Sequence, residues 1–290
     1  MEIREINGNT VLEKTEDFNL KHIFDCGQCF RFVQTGENEY TGVAGNKALT
    51  VCETGNSIVL YDTSIDEFND FWNSYFDLGN DYGAIKRSLS GEACMNRAIE
   101  EGSGIRILNQ ELFETIISFI ISQSNNIPRI RKIIESLCAI CGNEINYRNQ
   151  VFYSFPTPEA ILNTDISPIK AGFRDKYIIN AAKHISENPD FIEELKNSDS
   201  ASAKKLLMSL TGIGNKVSDC ILLFGLNKTD SFPVDVWMHR IMEQLYFGKK
   251  CSIPEISAYA AEKFGNYSGY AQQYLFYYAL NHKSEFKEDF

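Results

Sequence analysis

Long apolar runs are missing from this chain: none approaches the roughly 20 residues needed to cross a bilayer. The opening MEIREINGNT also lacks the apolar stretch of a secretory signal. A soluble protein is expected, intracellular and cytoplasmic, or nucleoid-associated if bacterial. Positive charge is in short supply, with 28 Lys and Arg against 39 Asp and Glu, a net charge of −11. So acidic a chain does not coat nucleic acid through bulk electrostatics. Contact with a polyanion must be local, through backbone amides, helix N-termini and a few basic side chains, with a modest salt dependence. Histidine is scarce: His22, His184, His239 and His282 never stand four residues apart, so no zinc-hydrolase helix is visible. Eight cysteines in a chain with no export signal read as reduced thiols. Two CxxC pairs, Cys26/Cys29 and Cys138/Cys141, have metal-like spacing. However, Cys138 closes an amphipathic helix and Cys26 precedes a strand, where a zinc ribbon wants turns. Neither metal nor cofactor is expected.

An apolar content of 43% suffices for a large core. In the first hundred residues, CFRFVQT, EYTGVA, ALTVCE and SIVLY alternate polar and apolar positions and are split by the turn formers GEN, GNK and TGN. This is an antiparallel meander, with short helices at 65–76 and 82–87 packed on it. From about Asn109 the chain turns to helices punctuated by Pro, Gly and Asn, and no further strand is expected. The stretch 111–123 is apolar almost throughout, which predicts a central buried helix, and Pro128 opens the next. Later helices are read at 158–162, 176–186, 203–209, 217–226, 236–246, 255–264 and 269–280. The fold class is α+β, an antiparallel sheet domain over 1–105 followed by an all-helical domain over 106–290.

The richest stretch is LLMSLTGIGNKVSDCILLFGLNKTDSFPVDV, residues 206–236. A helix ends near Leu210, Gly212 and Gly214 form a turn, and a new helix begins around Lys216 with Asn215 placed to cap it. Amides at such a corner cradle phosphate without any cation, although a GxG turn is also found in ordinary helical hairpins. Lys216 stands where the helix dipole disfavours its protonated form, which suits an amine nucleophile. Cys220 is one turn further along the same face; packing alone would explain it. Asp235, after Pro233, is at an N-cap that keeps a carboxylate ionised, and capping alone would explain it too. The pairing is the informative part: one helix start offers an amine and the next a fixed negative charge.

LTGIGNKVSDC followed by PVDV resembles the helix-hairpin-helix, Gly/Pro-rich loop and Asp signature of base-excision DNA glycosylases. The lysine is similar to that of the bifunctional branch, and the 8-oxoguanine DNA glycosylase/AP lyase family is matched over nearly the whole chain. The resemblance implies a sheet domain of the TATA-box-binding-protein type plus a helical glycosylase domain. It implies Lys216 as nucleophile, Asp235 as its electrostatic partner, and phosphate contacts at Gly212, Gly214 and Val217. DCGQCFRF resembles the loop whose glycine carbonyl, here Gly27, accepts the N7 hydrogen of 8-oxoguanine. SQSNNIPRI resembles the segment that fills the gap left by the extruded base, giving Ser124, Asn125, Asn126 and Arg129. GFRDKY resembles the wedge segment, so Phe173 would buckle the duplex and Arg174 would face the orphaned base. GYAQQYLF resembles the pocket helix, with Gln272 bonding the base edge and Phe276 stacking on it. A charge pair between Lys216 and Cys220 is implied as an aid to selectivity.

Four positions depart from the family pattern. Ser124 replaces an asparagine and Phe173 a tyrosine, which implies relaxed discrimination for cytosine opposite the lesion. Trp237 stands for a phosphate-contacting histidine and Ala279 for an acidic residue, so the bond those two would make is in doubt. The iron–sulfur loop of the related endonuclease branch is absent after Cys251. The expected partner is double-stranded DNA containing 8-oxoguanine, bound by a monomer away from membranes. Two other readings stay open: a glycosylase for another damaged purine, and a non-catalytic helix-hairpin-helix DNA-binding protein.

Overall fold

A computed structural model describes residues 1–286. Six strands, β1 (Glu2–Ile6), β2 (Asn9–Glu13), β3 (Phe32–Gly36), β4 (Glu39–Ala44), β5 (Lys47–Thr54) and β6 (Ser57–Leu60), form one antiparallel sheet in the order β1-β2-β6-β5-β4-β3. The four expected strands are all present. The first two come in addition, joined by Asn7-Gly8 with both residues left-handed, at φ 53° and 76°. That is the favoured two-residue hairpin turn. Strand β1 is exposed along its whole length, so it carries no alternation from which a strand could be read.

A second correction concerns the absence of strands after Asn109. Strands β7 (Glu144–Tyr147) and β8 (Gln150–Tyr153) pair as a hairpin. Its turn uses Arg148 and Asn149, both at positive φ, without the glycine that marks such turns in sequence. The Tyr147 hydroxyl accepts the Thr50 N–H at 3.0 Å and ties this hairpin to β5.

Two apolar cores result. One lies against the sheet, with Leu12, Phe24, Phe32, Tyr40, Trp72, Phe76 and Leu108. The other surrounds the helix Leu112–Ser122, in which every residue from Thr115 to Ile121 is buried. The helices Tyr82–Leu89 and Ala93–Glu101 give Tyr82, Ile85, Met95 and Ala98 to this second core, and Ala93–Glu101 packs on Ser268–Asn281. The cores are stitched together by polar groups. Gln28, fully buried, donates to the carbonyls of Ile23 and Arg106 at 2.8 and 2.7 Å and accepts the Leu108 N–H at 2.9 Å. Its amide is satisfied on both sides, which fixes the loop carrying Gly27. Beside it, Arg31 and Glu114 form a buried ion pair at 3.5 Å.

Candidate active site

The helix Ser200–Ser209 ends at Leu210, and the helix Asn215–Gly225 begins after a four-residue turn. Gly212 takes φ +93°, and a Cβ there would sit 2.5 Å from the Tyr177 ring, so both conformation and space require glycine. The expected cap is corrected: Gly214 occupies the N-cap and Asn215 the first helical position, with no side-chain cap. Ser218 donates the first intrahelical bond, to the Gly214 carbonyl at 2.9 Å. The amides of Asn215, Lys216 and Val217 therefore have no acceptor within the helix. Gly214 is exposed, with nothing within 4 Å of where a Cβ would be. The corner is an anion cradle open to solvent. Gly212 and the Val217 side chain lie deeper, so the Val217 contribution is its amide.

Asp235 caps Val236–Ile241, its Oδ1 accepting the Met238 N–H at 2.8 Å. Lys216 is half-buried, its Nζ 5.3 Å from the centre of the Phe119 ring. Both side chains line the same two spaces. The first is a cleft of about 860 Å³, walled also by Ser124, Asn125, Trp237 and His239. The second is a recess of about 40 Å³ bounded by Gly27, Phe119, Cys220, Gln272, Gln273 and Phe276. The sequence-derived pocket residues thus converge from four separate segments. Gln273 joins them unforeseen, because one sequence position beside Gln272 gives no hint that both amides turn the same way.

The recess is narrow. It has room for about three waters, and a Cβ on Gly27, itself at φ +79°, would meet Phe276 at 3.2 Å. A base must widen it to enter. Cys220 lines its wall, and burial pushes its thiol up to about 11 against the opposing pull of Lys216. Burial thus opposes the expected Lys216–Cys220 charge pair, while Lys216 favours it.

Around the cleft, Phe173 is 52% exposed, with the Arg174 guanidinium 4.3 Å from its ring centre. Arg174 is not: it is 3% exposed, and it donates to the carbonyls of Gln123 (through Nε at 2.8 Å), Ala171 (3.0 Å) and Ser124 (3.0 Å). Through these bonds it clamps two loops together. Ser124 is exposed and left-handed at φ 46°. Asn126 caps the helix Ile127–Cys141 by accepting the Arg129 N–H, and Asn125 donates to the Ile121 carbonyl at 3.1 Å. Both asparagines shape the loop before anything binds. Arg129 is exposed, near the Lys170 carbonyl. Trp237 packs against Arg240, whose guanidinium lies 5.3 Å from its ring centre, and Ala279 is buried with no polar group to offer.

One group of side chains could hold a cation. His239, Glu243 and Cys251 bring ligand atoms within 4.8 Å of one another. Glu243 already accepts the Cys251 N–H at 2.9 Å and faces His239 Nδ1 at 3.6 Å. The trio has neither CxxC spacing nor paired histidines, and a π-helical turn over Met242–Phe247 lies between Ile241 and Gly248.

Residues 10–116 match the family described as 8-oxoguanine DNA glycosylase, N-terminal domain, and residues 117–266 match HhH-GPD superfamily base excision DNA repair proteins. The probable N-glycosylase/DNA lyase of Methanothermobacter thermautotrophicus is 29% identical over 208 residues, covering 64% of this chain and 66% of that protein. The match spans just under two thirds of that relative's length. The structure of MBOgg1 in complex with low affinity DNA ligand superposes with a TM-score of 0.94 at 41% identity, covering 97% of this chain and 99% of that one. The Clostridium acetobutylicum 8-oxoguanine glycosylase/lyase in complex with dsDNA containing cytosine opposite to 8-oxoG gives 0.94 at 38%, covering 98% and 99%.

Proposed function

The chain belongs to the HhH-GPD superfamily of base excision DNA repair proteins, and from that premise we propose that it is a bifunctional 8-oxoguanine DNA glycosylase and AP lyase. The observation that carries this reading is the convergence of Lys216 and Asp235, each at a helix start, on both a wide cleft and an inner recess. The cleft is of a size to take the duplex edge, and the recess, once widened, takes the extruded base.

A glycosidic carbon inside a duplex is closed to attack, so the nucleotide must leave the stack. Phosphate contacts at the amides of the hairpin and stacking on Phe276 offset the cost of unstacking, about a few kcal/mol. Lys216 Nζ, as the free amine, then forms a bond to C1′ while the C1′–N9 bond breaks and its electron pair leaves with the base. Asp235 stabilises the positive charge that grows on the sugar. Ring opening yields a Schiff base between Nζ and C1′. Loss of a C2′ proton expels the 3′ phosphate and nicks the strand. The Gly27 carbonyl accepts the N7 hydrogen of the oxidised base and meets a lone pair on guanine, a difference of about 1–3 kcal/mol.

Borohydride trapping tests the proposal. An 8-oxoguanine duplex should give a covalent adduct that disappears in Lys216→Gln. An adduct persisting in that variant removes the nucleophile assignment. Failure to trap any lesion supports the DNA-binding reading, and excision of alkylated purines alone supports a different glycosylase.

A further inference from the structure

Beside the recess lies a polar atom with nothing to bond. Gln273 is 2% exposed and lines the recess beside Gln272. Its Nε2 donates to Gln272 Oε1 at 2.8 Å, while its own Oε1 has no hydrogen-bond partner. A buried carbonyl without a donor is costly, and in a ligand pocket its missing partner is a donor on the ligand.

The bond between the two amides also fixes which way Gln272 faces. Its Oε1 retains one free lone pair, and its Nε2 enters no hydrogen bond among the described residues. The pair therefore offers one donor and two acceptors: Gln272 Nε2, Gln272 Oε1 and Gln273 Oε1. A 2-amino-6-oxopurine carries the complement along one edge, with O6 accepting and both N1–H and the 2-amino group donating. An adenine-type edge reverses the first two positions. A 6-oxopurine lacking the 2-amino group leaves the third acceptor unmet.

We infer that Gln273 is a specificity-determining residue of the recess: its carbonyl reads the 2-amino group of an extruded 2-amino-6-oxopurine, and its amide nitrogen orients Gln272 for the rest of the edge. The inference rests on the glycosylase reading above. It adds to Gln272, which has too few polar atoms to register three groups while one of its lone pairs is held by Gln273.

Single-turnover excision of 8-oxoguanine and of 8-oxohypoxanthine, each opposite cytosine in otherwise identical duplexes, tests it on the full chain. Loss of the 2-amino group weakens pairing with cytosine and so favours extrusion. Slower excision cannot then arise from pairing. The wild type should excise 8-oxohypoxanthine about ten- to hundredfold more slowly than 8-oxoguanine. Gln273→Met, close in shape but without the amide, should bring the ratio below about threefold, mainly by slowing 8-oxoguanine. A merely structural role would slow both substrates together and leave the ratio unchanged; that result overturns the inference. Equal rates in the wild type overturn it without recourse to any variant. Excision of neither base by the wild type refutes the glycosylase reading itself, which separates the two failures.

Discussion

At Cys220, burial and charge compete over a single thiol. Burial raises it to about 11 from its ordinary 9.0, and Lys216 pulls it down without prevailing. For an acid raised in this way, the stabilising contribution is complete below pH 9 and is lost as the pH climbs through 11. Iodoacetamide at pH 7.5 should therefore label Cys220 at least about tenfold more slowly in the native protein than in urea. Labelling at the rate of a free peptide thiol would show a thiolate beside Lys216 after all. His282 shifts upward because its hydrogen bond to Glu101, at 2.7 Å, favours the charged ring. Its contribution is full below pH 6.5 and fades as the pH rises through the elevated value. Since the ring is about a third exposed, it is worth under about 1 kcal/mol. Unfolding free energy should fall slightly from pH 6 to pH 8.5, and His282→Gln should flatten that segment of the profile.

Among the elements, the hairpin is the most exacting. In Gly212→Ala the new methyl would press into the Tyr177 ring and force a left-handed alanine, a cost of about 1–3 kcal/mol. Duplex affinity should drop with it, whereas Gly214→Ala, with open space at its Cβ, should keep its stability. Unchanged urea midpoints for Gly212→Ala would mean that the turn relaxes freely. The elements were readable wherever period and punctuation agreed, as in β4, matched residue for residue, or the buried helix Leu112–Ser122. Strand β1 escaped because exposure on both faces erases alternation, and the β7–β8 turn because Arg148 adopts a glycine-like conformation. At the site, the positions of Lys216 and Asp235 at helix starts could be inferred. The inward turn of Gln273 and the capture of Arg174 by loop carbonyls could not, because both depend on packing between segments far apart in sequence.

On the scale of the whole molecule, the buried Arg31–Glu114 pair bridges the sheet and the helical bundle. Burial holds the Glu114 carboxyl above its usual range, and Arg31 opposes that rise. Arg31→Met alone should destabilise by about 3–5 kcal/mol, and adding Glu114→Leu should recover most of the loss. Additive losses in urea melts would show the two act independently. With a net charge of −11, and if contact is confined to the hairpin and a few side chains as proposed, duplex binding should show a log–log salt slope of about −3, as for three or four phosphates. A slope near −8 would require an extensive basic footprint. Arg174 has a mechanical consequence at the same scale. By gripping carbonyls at Gln123 and Ser124 together with Ala171, it welds the loop of Asn125 to the segment bearing Phe173. If Phe173 pries the strands apart and Asn125 plugs the hole left behind, as the family resemblance implies, this clamp makes the two move as one rigid tooth.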